Sequence, residues 1–529
     1  MAPRNTKVVV SLLAGAVMAL AASAAHAADP CEDLARFKLD GGRVDSAVVA
    51  TPDDKLEYDF AGIPPLPAPG VFCRVKATLT PTPSSAIGIE VWLPAKDAWN
   101  GKFLAVGNGG FAGGFGGPYL LMGPALKRGY ATAGTDTGHK GSDAKWALGQ
   151  PEKIKDYAWR ANHLTAEATK ALIKAYYASA PSRAYFQGCS NGGREALMEA
   201  QRFPGDYDGI VAGAPANAWT PMVAGFAWNQ AALMAPGAAL AKMQLAAIQD
   251  AVLEQCDELD GVKDGVIDDP RQCRFDIAKL GCKPGEAGGG CLTPEQIVAW
   301  RKIHDGPRIG GKAVFPGFPV GGEGVPGAWD SWIAAGDAAQ QAFLSREFYA
   351  NMVYGQPDWA LTGFDLARDY PKADAMYRSV LNSDDPDLSA FKAHGGKLIL
   401  YHGWADAAIT PLATIGYYEK VRARMGAASD GFVRLFMAPG VSHCFMGPGP
   451  DGFDMVGALE QWVEHGQAPD RIIAEKRANG MLALLGAPPG DVLRSRPLCP
   501  YPQVARWTGE GSTDEAANFV CRAPEGAKS

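Results

Sequence analysis

Short runs of alternating or continuous apolar residues mark a series of strands. Ile87 to Leu93 (I-G-I-E-V-W-L) and Lys102 to Val106 (K-F-L-A-V) read as strands, and so do Tyr130 to Gly134, Arg183 to Gln187 and Gly209 to Ala212. Between them, Leu164 to Ala178 carries apolar residues at helical spacing. Strands that alternate with helices predict a largely parallel sheet covered by helices on both faces. The pattern breaks near residue 217. From there to about 393 the chain is rich in Ala, Gly, Pro and Trp with irregular spacing, and holds four of the ten cysteines. Strands return at Lys397 to His402 (K-L-I-L-Y-H) and Phe432 to Met437 (F-V-R-L-F-M). A segment that interrupts an α/β pattern and then restores it is an insertion. The expected organisation is therefore an α/β catalytic domain from 28–216 and 394–529, with a lid domain from 217–393. Internal repeats and extended low-complexity tracts are absent from the sequence.

Residues 1–27 read as an export signal. Arg4 and Lys7 precede an apolar run from Val8 to Ala22, and Ala25-His26-Ala27 is a cleavage site. The run is short for a membrane anchor, and no later stretch is long and apolar enough to span a bilayer. The chain has 529 residues, 47% of them hydrophobic, enough for a large core. Its formal charge is −7, and loss of the two signal cations takes it to −9. With no Lys/Arg cluster, the sequence excludes a nucleic-acid partner. A periplasmic or extracellular location follows, where disulfides persist. Oligomeric state is not legible.

The chemistry concentrates at Gly188-Cys189-Ser190-Asn191-Gly192. This Gly-x-Ser-x-Gly turn follows a strand and precedes a helix, so the serine hydroxyl stands out at the top of the sheet. A serine needs a base within hydrogen-bond reach and a third group to orient that base. The restored strands lead into Gly403-Trp404-Ala405-Asp406 and Ala438-Pro439-Gly440-Val441-Ser442-His443, on loops at their carboxyl ends. The order Ser190, Asp406, His443 is that of an α/β-hydrolase triad. Among the other histidines, His139 is the main rival and reads better as a loop brace, while His402 lies within its strand and reads as a packed neighbour. A tetrahedral intermediate also needs backbone N–H donors. Asn191 follows the nucleophile, and Val106-Gly107-Asn108-Gly109-Gly110-Phe111 supplies Gly110, with Gly109 next. That loop lacks the spacing of a phosphate cradle. If Ser190 meets His443, then Cys189 and Cys444, each one residue away, are placed to form a disulfide. The remaining cysteines fall into couples by nearness: Cys31 with Cys73, Cys256 with Cys273, Cys282 with Cys291, Cys499 with Cys521.

The set Cys189-Ser190, Asp406 and His443-Cys444 resembles the tannase and feruloyl esterase family of α/β-hydrolases. The resemblance extends to Arg496-Pro497-Leu498-Cys499-Pro500-Tyr501-Pro502 and Ala516-Ala517-Asn518-Phe519-Val520-Cys521. It implies an α/β-hydrolase fold with a large inserted lid, five disulfides that match the couples above, and esterase activity on a small aromatic ester. It also implies a lid calcium. Cys256 to Asp268 (C-D-E-L-D-G-V-K-D-G-V-I-D) is dense in carboxylates. Family position assigns the side chains of Asp257, Asp260 and Asp264 and the carbonyls of Val262 and Val266 as ligands of a structural Ca²⁺, closed by Cys256 and Cys273 and remote from the triad. Lid aromatics Trp329, Trp332, Phe348, Tyr349 and Trp359 are candidate pocket walls, and Ile409, Trp329 and Phe348 form the expected substrate-contact set. Ile409 follows Asp406 by three residues. A phenylalanine there would stack better on a terephthalate ring, which favours hydroxycinnamate (feruloyl-type) esters over terephthalate monoesters. Gallate esters (tannase activity) and mono(2-hydroxyethyl) terephthalate are the alternative substrates. A non-catalytic exported binding module is the alternative class, and the intact triad argues against it.

Overall fold

The computed structural model describes residues 30–58, 63–286, 289–485 and 487–524, so the expected signal segment lies outside the described residues. Nine strands form one mixed sheet. They are β1 (Gly42–Ala50), β2 (Phe72–Leu79), β3 (Ile87–Pro94), β4 (Lys102–Val106), β5 (Ala131–Thr135), β6 (Arg183–Cys189), β7 (Gly209–Gly213), β8 (Lys397–Gly403) and β9 (Val433–Ala438). Their order across the sheet is β1-β2-β3-β5-β4-β6-β7-β8-β9. The pairings that join β1, β2, β3 and β5 are antiparallel. All pairings from β5 to β9 are parallel.

The parallel strands are apolar on both faces because both faces are covered. In β7, Ile210 and Ala212 join one core with Phe103, Phe186, Leu398 and Leu435. Val211, pointing the other way, joins a second core with Leu104, Tyr185, Ile399 and Phe436. The expected strands all appear, most of them a residue or two longer or shifted by one. The helix expected at Leu164–Ala178 begins at Ala161 and ends at Tyr177. Ala178 stops it by adopting a left-handed φ of 59°. β1 and β2 are additions to the sequence expectation.

Strand order reverses at β4, which has β5 on one side and β6 on the other. The carboxyl ends of β4 and β6 therefore open a crevice at a topological switch point. The Gly107 loop leaves β4 there, and Ser190 leaves β6.

β7 and β8 pair directly, from Gly209 opposite Lys397 to Gly213 opposite Tyr401. Residues 217–393 lie between them in sequence, and the described ones add no strand to the sheet. This insertion has its own apolar core of Leu245, Ile248, Val252, Trp300, Ile303 and Trp329. Two disulfides, Cys256–Cys273 and Cys282–Cys291, close its loops. After β9, a three-stranded antiparallel sheet (Gly452–Phe453, Ile472–Arg477, Val492–Leu498) and a hairpin closed by Cys499–Cys521 finish the chain. Cys31–Cys73 pins the first helical turn to β2. No described helix is long and apolar enough to cross a membrane.

Candidate active site

Ser190 sits between the last residue of β6 and the first of the helix Asn191–Arg202, with φ 65° and ψ −124°. Such a conformation costs about 1–3 kcal/mol and persists only where surroundings impose it. Here three backbone bonds do so. Ser190 N–H donates to the Gly213 carbonyl (3.0 Å), and the Ser190 carbonyl accepts from Arg194 (3.1 Å) and Ala216 (3.0 Å). The flanking glycines are required by close approach. A Cβ at Gly188 would stand 2.4 Å from the Gly192 carbonyl oxygen, and one at Gly192 would stand 2.9 Å from that of Asn108. The β4 loop thus packs directly on the elbow. Among the described residues no hydrogen bond joins Ser190 Oγ to His443, whose ring bonds Asp406 instead.

His443 stands on the loop after β9 and donates from Nδ1 to Asp406 Oδ2 at 2.8 Å. Asp406, on the loop after β8, is fully buried. Its Oδ1 accepts from the N–H groups of Ala408 (2.8 Å) and Ile409 (3.0 Å). Burial pushes the Asp406 pKa up. The charge on His443 and hydrogen bonds from His402 and His443 outweigh it, holding the carboxyl well below the usual range. The Cys189–Cys444 disulfide, with Cα atoms 5.9 Å apart, ties the elbow to the histidine loop. Elbow, Asp406 loop and His443 loop are thereby held at one end of the sheet.

Asn191 opens its helix, so its N–H belongs to the unpaired first turn and lies at the positive end of the helix dipole. Among the described residues, neither this N–H nor that of Gly110 is used by another group. A buried network holds the two segments together. Glu195 accepts from the Asn108 N–H (2.9 Å) and from Asn191 Nδ2 (2.9 Å). The Tyr157 hydroxyl lies 2.9 Å from the Gly110 carbonyl oxygen and 3.0 Å from Asn191 Oδ1. Arg194, wholly buried, donates to Asn191 Oδ1 (2.7 Å) and caps the carbonyls of Ala158 (2.7 Å) and Tyr157 (3.1 Å). Tyr157, Arg194 and Glu195 were not among the expected site residues. The signal for Arg194 and Glu195 is Asn-Gly-Gly-Arg-Glu, two charged residues on a helix face that the elbow must bury.

His139 and His402 divide as follows. His139 bonds the Phe111 carbonyl oxygen through Nε2 (2.7 Å) and stacks on Trp146 at 4.0 Å, bracing the β4 loop. Burial pushes its pKa down to about 4. His402 is more than a packed neighbour, because its Nε2 lies 3.0 Å from Asp406 Oδ2.

All three expected substrate contacts are buried. Trp329 is buried in the lid core, stacked near His304 at 5.4 Å and edge-on to Phe318 at 6.4 Å. Phe348 is fully buried against Trp219, Tyr349 and Tyr377. Trp329 belongs to the core of the insertion, whereas Phe348 joins the cluster that also holds Phe111 and Tyr157. Ile409 is also buried, in the cluster that contains Phe111 and Trp219 under the β4 loop. One residue of 217–393 that meets the site is Trp332, half-buried, whose ring lies 5.0 Å from that of His443 at 69°. Trp329 and Trp332 share the four-residue helix Trp329–Trp332, and nothing in a W-D-S-W run says which ring turns inward.

The acidic loop folds around its own backbone. Asp257 accepts from Gly265 N–H at 3.0 Å, Asp260 from Val262 at 2.9 Å and Asp264 from Val266 at 3.1 Å. Arg496 and Arg494 also reach Asp264. Asp268, missed from the sequence, is buried with Oδ2 unpartnered. Burial and then neighbouring carboxylates push Asp260 up to about 6 and Asp268 up to about 8. An orphaned carboxylate oxygen among several carboxylates, which Arg494 and Arg496 offset in part, fits a hard cation. One edge of the loop touches the segment that leads to His443. Val266 Cγ1 lies 3.1 Å from the position of a Cβ on Gly440, in the His443 loop.

The switch-point crevice, the strained serine and the Asp406–His443 pair define an α/β-hydrolase with the parts of a serine triad. The family model "Tannase and feruloyl esterase" matches residues 73–522, and the chain belongs to that family of carboxylic ester hydrolases. It is 40% identical to an uncharacterised esterase of Xanthomonas campestris, over 95% of this chain and 93% of that one. It is 35% identical to the mono(2-hydroxyethyl) terephthalate hydrolase of Piscinibacter sakaiensis, over 83% of this chain and 82% of that one. The crystal structure of feruloyl esterase B from Aspergillus oryzae superposes with a TM-score of 0.83 at 29% identity, covering 93% of this chain and 99% of that one.

Proposed function

We propose that the protein is an exported serine esterase that cleaves esters of hydroxycinnamic acids of the feruloyl type through an acyl-enzyme. Ser190 Oγ attacks the ester carbonyl carbon as His443 Nε2 takes its proton. The N–H groups of Asn191 and Gly110 hold the oxyanion. His443 returns the proton to the leaving alcohol as the C–O bond breaks. A water molecule then repeats the attack, and the acid leaves Ser190. Asp406 stays ionised and orients His443. The observation that carries this reading is the 2.8 Å His443–Asp406 bond beside a strained serine tethered through Cys189–Cys444. The structural relative with a TM-score of 0.83 is a feruloyl esterase, which supports the substrate class.

Residues 217–393 act as the lid, and Trp332 supplies an aromatic wall beside His443. The loop of Asp257, Asp260 and Asp264, with the Val262 and Val266 carbonyls and Asp268 nearby, would hold a structural Ca²⁺. Its charge would relieve the crowded carboxylates. Five disulfides are consistent with export, to the periplasm or outside the cell.

The test is a panel of methyl ferulate, methyl gallate and mono(2-hydroxyethyl) terephthalate, assayed with the full mature chain and with Ser190→Ala. The highest kcat/KM is expected on methyl ferulate, with Ser190→Ala inactive on all three. A tenfold preference for either other ester, or an active Ser190→Ala, overturns the reading.

A further inference from the structure

The catalytic acid is gripped by a second histidine. Asp406 Oδ1 takes two backbone N–H groups from its own loop, those of Ala408 and Ile409. Oδ2 takes two side-chain donors, His443 at 2.8 Å and His402 at 3.0 Å. Four donors fill the lone-pair sites of a carboxylate. His402 Nε2 also lies 3.0 Å from the Ile409 carbonyl oxygen. Both neighbours are acceptors, so Nε2 carries a hydrogen in any state of the ring. The ring cannot turn away, because the Thr414 hydroxyl holds Nδ1 at 2.8 Å from the helix Pro411–Met425. His402 and Thr414 are both fully buried.

We propose that His402 is a positioning residue for the esterase reaction, a fixed N–H donor that sets the Asp406 carboxylate for His443; the proposal rests on the serine-esterase reading above. His443 works in a half-open loop and changes protonation in every turnover. His402 belongs to the rigid strand β8 and does neither. Its hydrogen links the start and end of the Asp406–Ile409 turn and holds Oδ2 on the line to His443. It also satisfies the lone pair to which a proton would otherwise move when His443 becomes imidazolium. Asp406 then remains an anion in a dry site, where an ionised carboxylate would otherwise be costly. A histidine that only filled space would not need three hydrogen-bond partners converging on its two ring nitrogens.

The experiment compares His402→Ala, His402→Gln and Thr414→Val with wild type and Ser190→Ala, using p-nitrophenyl acetate and methyl ferulate. Circular dichroism and Tm report folding. Loss of one hydrogen bond to a charged group predicts a fall in kcat of roughly ten- to a hundredfold for His402→Ala, with KM little changed. The acidic limb of kcat/KM, set by His443, should move to higher pH, since a carboxylate with one donor fewer holds the His443 imidazolium more strongly. His402→Gln, which keeps an N–H donor, should recover part of kcat and restore the limb. Thr414→Val keeps the volume and should give a smaller loss in the same direction. A folded His402→Ala with wild-type kcat and an unmoved limb overturns the proposal. So does a Gln variant as damaged as Ala with no change in the limb, which would mark packing alone. If His402→Ala does not fold, Thr414→Val decides, and wild-type behaviour there overturns it. An active Ser190→Ala would instead sink the parent reading.

Discussion

Cys189 and Cys444 are bonded to each other across 255 residues of sequence, and each is the immediate neighbour of a site residue, Ser190 and His443. The bridge joins the elbow after β6 to the loop after β9, which are not adjacent in the sheet. Closing so long a loop removes denatured-state entropy worth up to ~5 kcal/mol in the chain-entropy model. It also fixes the distance over which the proton must pass. The double variant Cys189→Ala/Cys444→Ala should therefore lose both Tm and kcat, with a smaller effect on KM. Calorimetry and ester turnover on the same preparation check this. A variant that loses Tm and keeps kcat would confine the bridge to stability.

Calcium removal should reach the active site as well as the lid. The acidic loop abuts Gly440, three residues before His443, through Val266. Chelation by EDTA should lower Tm and kcat together, and added Ca²⁺ should restore both. Asp268→Asn removes a buried carboxyl, pushed up to about 8, whose Oδ2 has no partner. It should raise the Tm of the chelated protein and narrow the gap between chelated and calcium-loaded forms. Equal Tm with and without EDTA would remove calcium from the account.

His139 should make the protein acid-sensitive. Its pKa falls from an ordinary 6.5 to about 4 in the fold, because burial disfavours the cation. Above pH 6.5 the ring is neutral in both states and contributes no pH dependence. Between 6.5 and 4 the unfolded chain binds a proton that the folded chain refuses, so stability falls as pH falls, by about 3 kcal/mol over the window. His139→Gln keeps a donor for the Phe111 carbonyl and cannot titrate. Its Tm should vary less between pH 6.5 and 4 than that of wild type. Parallel Tm–pH curves would show that other groups set the acid limit.

Legibility from sequence followed the strength of the local signal. β4 through β9 were readable because parallel, doubly covered strands are continuous apolar runs, and β3, though antiparallel, is buried along nearly its whole length. β1 and β2 were not, since β1 is an edge strand with Val48 and Val49 exposed and its alternation is blurred by a bulge between Val44 and Ser46. Strand-to-loop placement and chain order picked out Ser190, Asp406 and His443, and the fold brings His443 onto Asp406. His402 was misjudged because a residue inside a strand reads as packing, and only the fold brings its Nε2 onto the Asp406 loop. Asp268 was passed over because nothing local distinguishes a buried carboxylate from a solvated one. The lid was the least readable part. Its irregular elements give no period by which to separate an inward tryptophan from one that faces the site.

That last ambiguity gives the sharpest contrast between two neighbouring residues. Trp332 presents its ring edge-on to His443 at 5.0 Å, whereas Trp329 is 1% exposed in the lid core. An aromatic pair is worth about 0.5–1.5 kcal/mol beyond buried area, so losing a ring that a substrate touches changes affinity about two- to twelvefold. Trp332→Ala should raise KM for methyl ferulate on that scale and leave KM for p-nitrophenyl acetate nearly unchanged, with Tm little altered. Trp329→Ala removes a fully packed core side chain, which costs about 3–5 kcal/mol. It should lower Tm sharply while the folded fraction keeps its KM. Steady-state kinetics and thermal melts on the two variants separate the roles. If Trp329→Ala raised KM and Trp332→Ala did not, the substrate would approach from the far side of the lid helix, and the placement of the aromatic wall beside His443 would be wrong.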